Sequence, residues 1–208
     1  MNIDQAALWS ERYAEAGADY YFGTTPNKFL VAQAQRLLPG WTALAVADGE
    51  GRNSVFLAET GLQVTAVEIS PVGLHKAQRL AASRHVAVNF VLADVLQWQA
   101  PTPFDVVVAI FVQFVGPAER AVLFDRMRSA VKPGGLLLMQ GYTPQQLEYS
   151  TGGPSAEENL YTAKLLEQEF SGWEMLELRE HEDELAEGAG HKGRSALIDL
   201  VARKPRDK

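Results

Sequence analysis

The chain has 208 residues, 47% of them hydrophobic, which is enough to bury a full core and favours one domain. Its formal net charge of −7 offers no basic surface to a phosphate backbone or an anionic leaflet, so neither nucleic acid nor membrane is an expected partner. Without cysteine there is no disulfide framework, no thiolate metal site and no cysteine nucleophile, and no metal is expected. The opening M-N-I-D-Q-A-A-L-W-S-E-R alternates charged and apolar residues and lacks a leader's hydrophobic run, and no later run approaches a membrane span. The expectation is a cytoplasmic monomer or homodimer that acts on a small molecule.

In chain order, two helices come first, near 4–16 and 26–38. They are extra to the sheet that follows, and residues 1–40 are expected to form a helical lid over its ligand edge. Short apolar runs with β-branched or aromatic content at 43–47, 63–67, 86–92, 104–111 and 136–140 read as strands, with helical spacing between them. S-P-V-G-L-H-K-A-Q-R-L-A-A-S opens with a Ser cap and a Pro at the first helical position, then repeats Leu74, Ala77 and Leu80 or Ala81 on one face. The helix after Pro117 buries Leu123, Phe124, Met127, Ala130 and Val131 in the same way. Ser155 and Glu158 stand at capping-box spacing and predict a helix that begins there. K-P-G-G, at 132–135, reads as a helix stop and a turn into a strand. Towards the end, W-E-M-L-E-L-R-E-H and S-A-L-I-D-L-V-A-R-K are extended segments joined by a Gly-rich acidic loop at 182–193. With no helix between them they are antiparallel. The pattern predicts an α/β fold: a Rossmann-like doubly wound sheet, mostly parallel, with one antiparallel strand near the C-terminus, its core at 41–208 within a single domain of 1–208.

Ligands of open α/β sheets lie beyond the carboxyl ends of the strands. The first such end carries A-D-G-E-G-R-N-S. Gly49 and Gly51 remove side chains that would block a ligand, so a side chain added at Gly51 is expected to fill ligand space and leave the core intact. The helix starting near Arg52 offers free N–H groups and its positive dipole end. Arg52 either is solvated, as an arginine on a first helical turn usually is, or meets a carboxylate of the ligand, and Asn53 either meets the ligand or braces the backbone. Glu68 follows about 20 residues on, at the end of the second strand, where a carboxylate accepts both hydroxyls of a ribose. Asp94 ends the third strand in the same way, with Ile69 and Val95 beside the two acids. Two cofactor classes fit: a dinucleotide, with Ser54 in the third position of the glycine fingerprint, and S-adenosylmethionine. Asp94 and the terminal antiparallel pair favour the second.

G-E-G-R-N-S-V-F-L-A-E-T-G-L-Q-V-T-A-V-E-I-S, then A-D, F-D-V-V-V-A-I-F and V-K-P-G-G-L-L-L-M-Q-G-Y, resembles the class I S-adenosylmethionine-dependent methyltransferases. Within them the chain is most similar to the tellurite-resistance methyltransferase-like group, a similarity that also takes in R-Y-A-E-A-G-A-D-Y-Y-F-G-T-T-P-N-K-F-L and A-E-G-A-G-H-K-G-R-S-A-L-I-D-L-V-A-R-K. It implies S-adenosyl-L-methionine as cofactor, S-adenosyl-L-homocysteine as product, and a small-molecule methyl acceptor such as a thiol or a tellurium or selenium compound. The chain departs from the group where Ala47 replaces the acid usual two positions before the first glycine, with Asp48 beside it. It departs again at Gln113 and Gln140, where relatives commonly have His and Glu. A nicotinamide-dependent oxidoreductase and a non-catalytic S-adenosylmethionine-binding protein stand as alternatives.

Methyl transfer from a sulfonium needs alignment and exclusion of water, and a general base only for an acceptor that still carries its proton. Y-Y-F-G-T-T-P-N is expected as a lid segment, with Tyr21, Phe22 and Asn27 near the amino-acid end of the cofactor. On the acceptor side His191 is the candidate base, since its ordinary pKa lies near neutrality and the neighbouring glycines let the loop approach closely. A solvated histidine in an exposed loop is the competing reading. Tyr142 and Glu187 are expected as its polar partners or as groups that orient the acceptor by hydrogen bonds.

Overall fold

Among the described residues, six α-helices and seven strands carry the fold, and the strands form one mixed sheet. The computed structural model describes residues 4–149 and 151–206; the extreme ends of the expected 1–208 domain and position 150 lie outside them. The chain divides into two compact units, one running up to Trp98 and including Glu187–Gly190, the other comprising Gln99–Ala186 and the segment from His191 onwards.

In the first unit, α1 (Gln5–Glu15) starts on Asp4, whose carboxylate accepts the Ala7 N–H. Helix α2 spans only Lys28–Gln33, followed by a 3-10 turn at Ala34–Arg36, and so is shorter than the expected 26–38. The Asn27 side chain caps it from outside, and Pro39 ahead forces the chain out of helical geometry. There follow β1 (Thr42–Val46), α3 (Arg52–Glu59), β2 (Gln63–Glu68), α4 (Pro71–Ser83) and β3 (Val88–Leu92). Strand β2 pairs in parallel with β1 and with β3, with Ala43 beside Val64 and Val64 beside Val88. Val55, Leu80 and Ala81 are buried between α3 and α4, with Tyr20, Val86, Val88 and Phe90 packed against them. Burying a side chain the size of Val55 or Leu80 stabilises by about 1.5–3 kcal/mol.

The second unit holds β4 (Phe104–Ile110), α5 (Pro117–Ala130), β5 (Val131–Tyr142), α6 (Ala163–Glu169), β6 (Glu174–Glu187) and β7 (His191–Arg203). Strands β4 and β5 are parallel, with Val108 beside Leu138, and β7 runs antiparallel to β5, with Val201 beside Leu138. The sheet order is β3-β2-β1-β4-β5-β7-β6. The expected fold class is observed, antiparallel strand included. No helix among the described residues is long and apolar enough to cross a membrane.

Three local expectations are corrected here. K-P-G-G does not precede β5 but lies inside it: Gly134 takes φ 78°, and the register slips between Phe104 and Val106, so a bulge absorbs the turn. The acidic stretch from 182 is no loop. Leu185 and Glu187 face inward while Glu182, Glu184 and Ala186 face out, a period of two that the polar composition conceals, and the chain reverses at residues 188–190. Finally, Ser155 does not start a helix. A 3-10 turn at Glu157–Asn159 is followed by buried, extended Leu160 and Tyr161, and Thr162 caps α6 by accepting the Leu165 N–H.

Candidate functional site

Strand β1 ends in a sharp reversal, with Ala47, Gly49 and Gly51 at φ 48°, 65° and 92°. The reason for each glycine differs. A Cβ on Gly49 would lie 2.8 Å from the Tyr13 hydroxyl. One on Gly51 would lie 2.7 Å from the Ala77 Cβ and 2.8 Å from its Cα, so Gly51 exists to let α3 pack on α4. The expectation that a side chain there fills ligand space and spares the core is therefore corrected. Gly51 has no side chain to cap α3, and Asp48 does so in its place: its carboxylate accepts the Ser54 N–H at 3.2 Å and the Ser54 hydroxyl. Burial pushes the Asp48 carboxyl up to about 7, against the pull of the Ser54 bonds.

Glu68, the last residue of β2, is buried and clasps this turn. One carboxylate oxygen accepts the Gly49 N–H and the other the Ser70 N–H, both at 2.8 Å. Burial raises its pKa, and the backbone N–H bonds oppose that rise. A carboxylate has about four acceptor positions, so both oxygens keep capacity for ribose hydroxyls. Asp94 is half-exposed and accepts the Leu96 N–H at 2.9 Å, capping its own turn; Ile69 is half-buried and Val95 buried.

The front segment is pinned to the turn by a pair that sequence reasoning missed. Lys76 Nζ donates to the Tyr13 carbonyl at 2.6 Å, the Asp19 carbonyl at 2.7 Å and the Glu50 carboxylate at 2.9 Å. Glu50 in turn accepts the Phe22 N–H at 3.2 Å, and both charged side chains are buried. The available signal was position: Lys76 lies on the same helical stripe as Gly73, Ala77 and Leu80. Trp9, Tyr13, Tyr21 and Phe22 pack as an aromatic cluster, with Tyr21 and Phe22 edge-to-face at 4.9 Å. Burial, then the carboxylates of Glu68, Glu50 and Asp48, hold the Tyr13 hydroxyl well above its ordinary pKa, so it stays protonated.

Arg52, Asn53, Asn27 and Glu187 form a second network at the start of α3. Asn53 accepts the Asn27 N–H at 3.0 Å and so braces the backbone. Asn27 caps α2 through its side-chain oxygen and donates from Nδ2 to Glu187 at 3.1 Å. Arg52 is 6% exposed, with Nη2 2.7 Å from the Glu187 carboxylate and a buried Nη1 that has no hydrogen-bond partner.

In the second unit, Tyr142 closes β5 and His191 opens β7. The Tyr142 hydroxyl lies 2.6 Å from His191 Nδ1, and both side chains are buried. Phe111 stacks on Tyr142 at 4.7 Å and tilts against His191 at 4.3 Å, on a backbone at φ 56°. His191 is thus neither in a loop nor exposed, as its competing reading had it. The hydrogen bonds of Glu187 go to Asn27, Lys28 and Arg52. Gln113 clamps Tyr142 at both backbone atoms, donating to its carbonyl at 2.9 Å and accepting its N–H at 2.5 Å. Gln140 donates to buried Asp199 at 2.6 Å. These two glutamines are thus committed to holding β5.

Residues 43–135 match the family model described as a methyltransferase domain. Carboxy-S-adenosyl-L-methionine synthase of Geobacter metallireducens is 25% identical over 140 residues, covering 67% of this chain and 50% of that protein, so the chain spans half that relative's length. Among solved structures, TehB from Haemophilus influenzae superposes with a TM-score of 0.72 at 18% identity, over 94% of this chain and 67% of that one. The N-methyltransferase NodS from Bradyrhizobium japonicum WM9, in complex with S-adenosyl-L-homocysteine, superposes at 0.71 and 12% identity, over 98% and 100%. The chain therefore has the Rossmann-like methyltransferase fold, and the segment that builds its glycine turn and first four strands matches the methyltransferase-domain family.

Proposed function

We propose that this chain is an S-adenosyl-L-methionine-dependent methyltransferase acting on a small-molecule acceptor. The observation that carries the reading is Arg52: a guanidinium beside the glycine turn, buried, with one nitrogen lacking any partner. A buried unsatisfied donor costs about 1–3 kcal/mol, and an anionic ligand group removes that cost. Glu68 would hold the ribose hydroxyls, Arg52 the carboxylate, and Asp94 with Val95 and Ile69 the adenine. The front segment with Tyr13, Tyr21 and Phe22 would exclude water. When bound, the cofactor supplies an electrophilic methyl group on a sulfonium sulfur. Buried His191, with Nδ1 engaged by Tyr142, would take the proton of an acceptor that still carries one.

For the acceptor, the reading is a thiol or a tellurium or selenium compound, and it rests on the resemblance carried by G-E-G-R-N-S and K-P-G-G. The test is mass-spectrometric detection of methylated product from a panel of thiols, chalcogen oxyanions and small metabolites. Methylated product from a thiol or a chalcogen compound supports the acceptor reading, and product only from other metabolites supports a methyltransferase with a different acceptor. Tight S-adenosyl-L-homocysteine binding with no product across the panel supports a binding protein in its place.

A further inference from the structure

We infer that Asp48 makes the glycine turn prefer the cationic cofactor over its neutral product, because Asp48 gives up a proton when a cation arrives beside it. Resting on the cofactor reading above, this preference separates S-adenosyl-L-methionine from S-adenosyl-L-homocysteine. The two differ by one methyl group and one positive charge: the sulfonium gives the cofactor a net positive charge, and the thioether leaves the product with none.

Acids and cations do not balance at the turn. Glu50, Glu68 and Glu187 are buried there and Asp48 is partly buried, against buried Lys76 and Arg52. Both cations are already paired, Lys76 with Glu50 at 2.9 Å and Arg52 with Glu187 at 2.7 Å. Among the described residues, neither Asp48 nor Glu68 has an ion-pair partner, and hydrogen bonds from uncharged donors hold them instead. The one polar atom at the turn that lacks a partner, Arg52 Nη1, is a buried donor suited to the carboxylate of an amino-acid end. With that carboxylate on Arg52, the cofactor still brings two cationic groups towards acids that have no cation of their own, and the product brings only its ammonium.

Ser54 lets Asp48 hold or lose a proton without disturbing the turn. Ionised, the carboxylate accepts both the Ser54 N–H and the Ser54 hydroxyl. Protonated, it can donate to that same hydroxyl oxygen, because Ser54 Oγ has a second acceptor for its own proton, the Gly51 carbonyl at 3.2 Å. The titratable and charged groups that act on Asp48 from the elements packed around it are Glu68 of β2, Arg52 of α3 and Tyr13 of α1, whose hydroxyl stays protonated. With its carboxyl at about 7, Asp48 is near half-protonated at neutral pH. A cation nearby favours the ionised form, so the proton leaves to solvent as the cofactor binds. The sign follows: cofactor binding tightens relative to product binding as pH rises through 7, and the preference fades below it, where Asp48 is neutral.

The experiment is calorimetry on the full chain with S-adenosyl-L-methionine and S-adenosyl-L-homocysteine, in two buffers of different ionisation enthalpy so that released protons are counted. Relative to Asp48→Asn, the wild-type chain at pH 7 is expected to release about a third of a proton more with the cofactor than with the product. Its ratio of the two affinities is expected to move about threefold towards the cofactor between pH 6 and pH 8, a shift that Asp48→Asn loses. The amino groups of the ligands titrate alike in both proteins and cancel in this comparison. Ser54→Ala removes a hydrogen bond that favours the ionised carboxylate, so its shift is expected to set in at higher pH. That variant also decides the matter should Asp48→Asn not fold. The same pH dependence in Asp48→Asn as in the wild type overturns the inference, and so does a Ser54→Ala profile that stays in place or moves to lower pH. Binding of both ligands with no difference in proton release between the wild type and Asp48→Asn overturns it while the cofactor reading stands. If neither ligand binds the wild-type chain, the cofactor reading itself falls, and this preference with it.

Discussion

Replacing Asp48 with Asn should stabilise the protein at alkaline pH, although Asp48 caps α3. The reason is burial. The carboxyl moves from its ordinary 3.8 to about 7 in the folded chain, mainly because its charged form loses water there. Between those two values the folded state holds a proton that the unfolded state has released, so stability falls as pH rises towards and through 7. At about 1.4 kcal/mol for each tenfold difference in acidity, this carboxyl lowers stability by up to about 4 kcal/mol at pH 8.5, where it is charged and buried, but by only about 1.7 kcal/mol at pH 5, where the folded chain keeps it protonated. Asn keeps an oxygen for the Ser54 N–H and gains an amide facing the Ser54 hydroxyl, at a cost of about 1 kcal/mol for losing a charge-assisted bond. Urea unfolding of both proteins should therefore show Asp48→Asn ahead by about 2–3 kcal/mol at pH 8.5, with the advantage nearly gone at pH 5. Glu68 is raised in the same direction and is common to both proteins, so the difference between them reports Asp48. A variant that is less stable at pH 8.5, or ahead by the same amount at both pH values, would refute the reasoning.

Further substitutions probe the other contacts. Gly51→Ala should cost about 2–5 kcal/mol in urea unfolding, combining left-handed geometry for a residue with a side chain and a collision with the Ala77 backbone; near-wild-type stability would deny that α3 and α4 need this contact. Lys76→Met leaves Glu50 charged and buried, with an expected loss of about 3–5 kcal/mol, and the double variant Lys76→Met/Glu50→Leu should regain most of it. His191→Ala should lower turnover at least tenfold, about 1.4 kcal/mol of barrier, with S-adenosyl-L-homocysteine affinity unchanged. A matching loss of affinity would assign His191 to the cofactor pocket.

Elements with regular periodicity were legible in the sequence. The Ser70 cap with Pro71, the stripe of Leu123, Phe124 and Met127, and the apolar runs of β1, β2 and β4 state their own structure, because local propensity and burial agree there. Where the two disagree, the sequence misleads. The alternation of Leu185 and Glu187 is hidden by acidic composition, and Ser155 with Glu158 copies a capping box in a stretch where the burial of Leu160 and Tyr161 wins. The site shows the same division. Gly49 and Glu68 stand together as their spacing says, and His191 meets Tyr142. The Lys76–Glu50 pair and the Glu187–Arg52–Asn27 network join residues far apart in the chain, and no local pattern announces such partners.

The central claim is that the turn between β1 and α3 holds S-adenosyl-L-methionine. Calorimetry of the wild-type chain and Glu68→Ala, with S-adenosyl-L-homocysteine and with NADH, addresses it most directly. The account predicts micromolar binding of S-adenosyl-L-homocysteine, no binding of NADH, and a loss of about 1.5–3 kcal/mol in folded Glu68→Ala from the missing charge-assisted ribose bonds. Binding of NADH in preference, or an unchanged S-adenosyl-L-homocysteine affinity in folded Glu68→Ala, would contradict it.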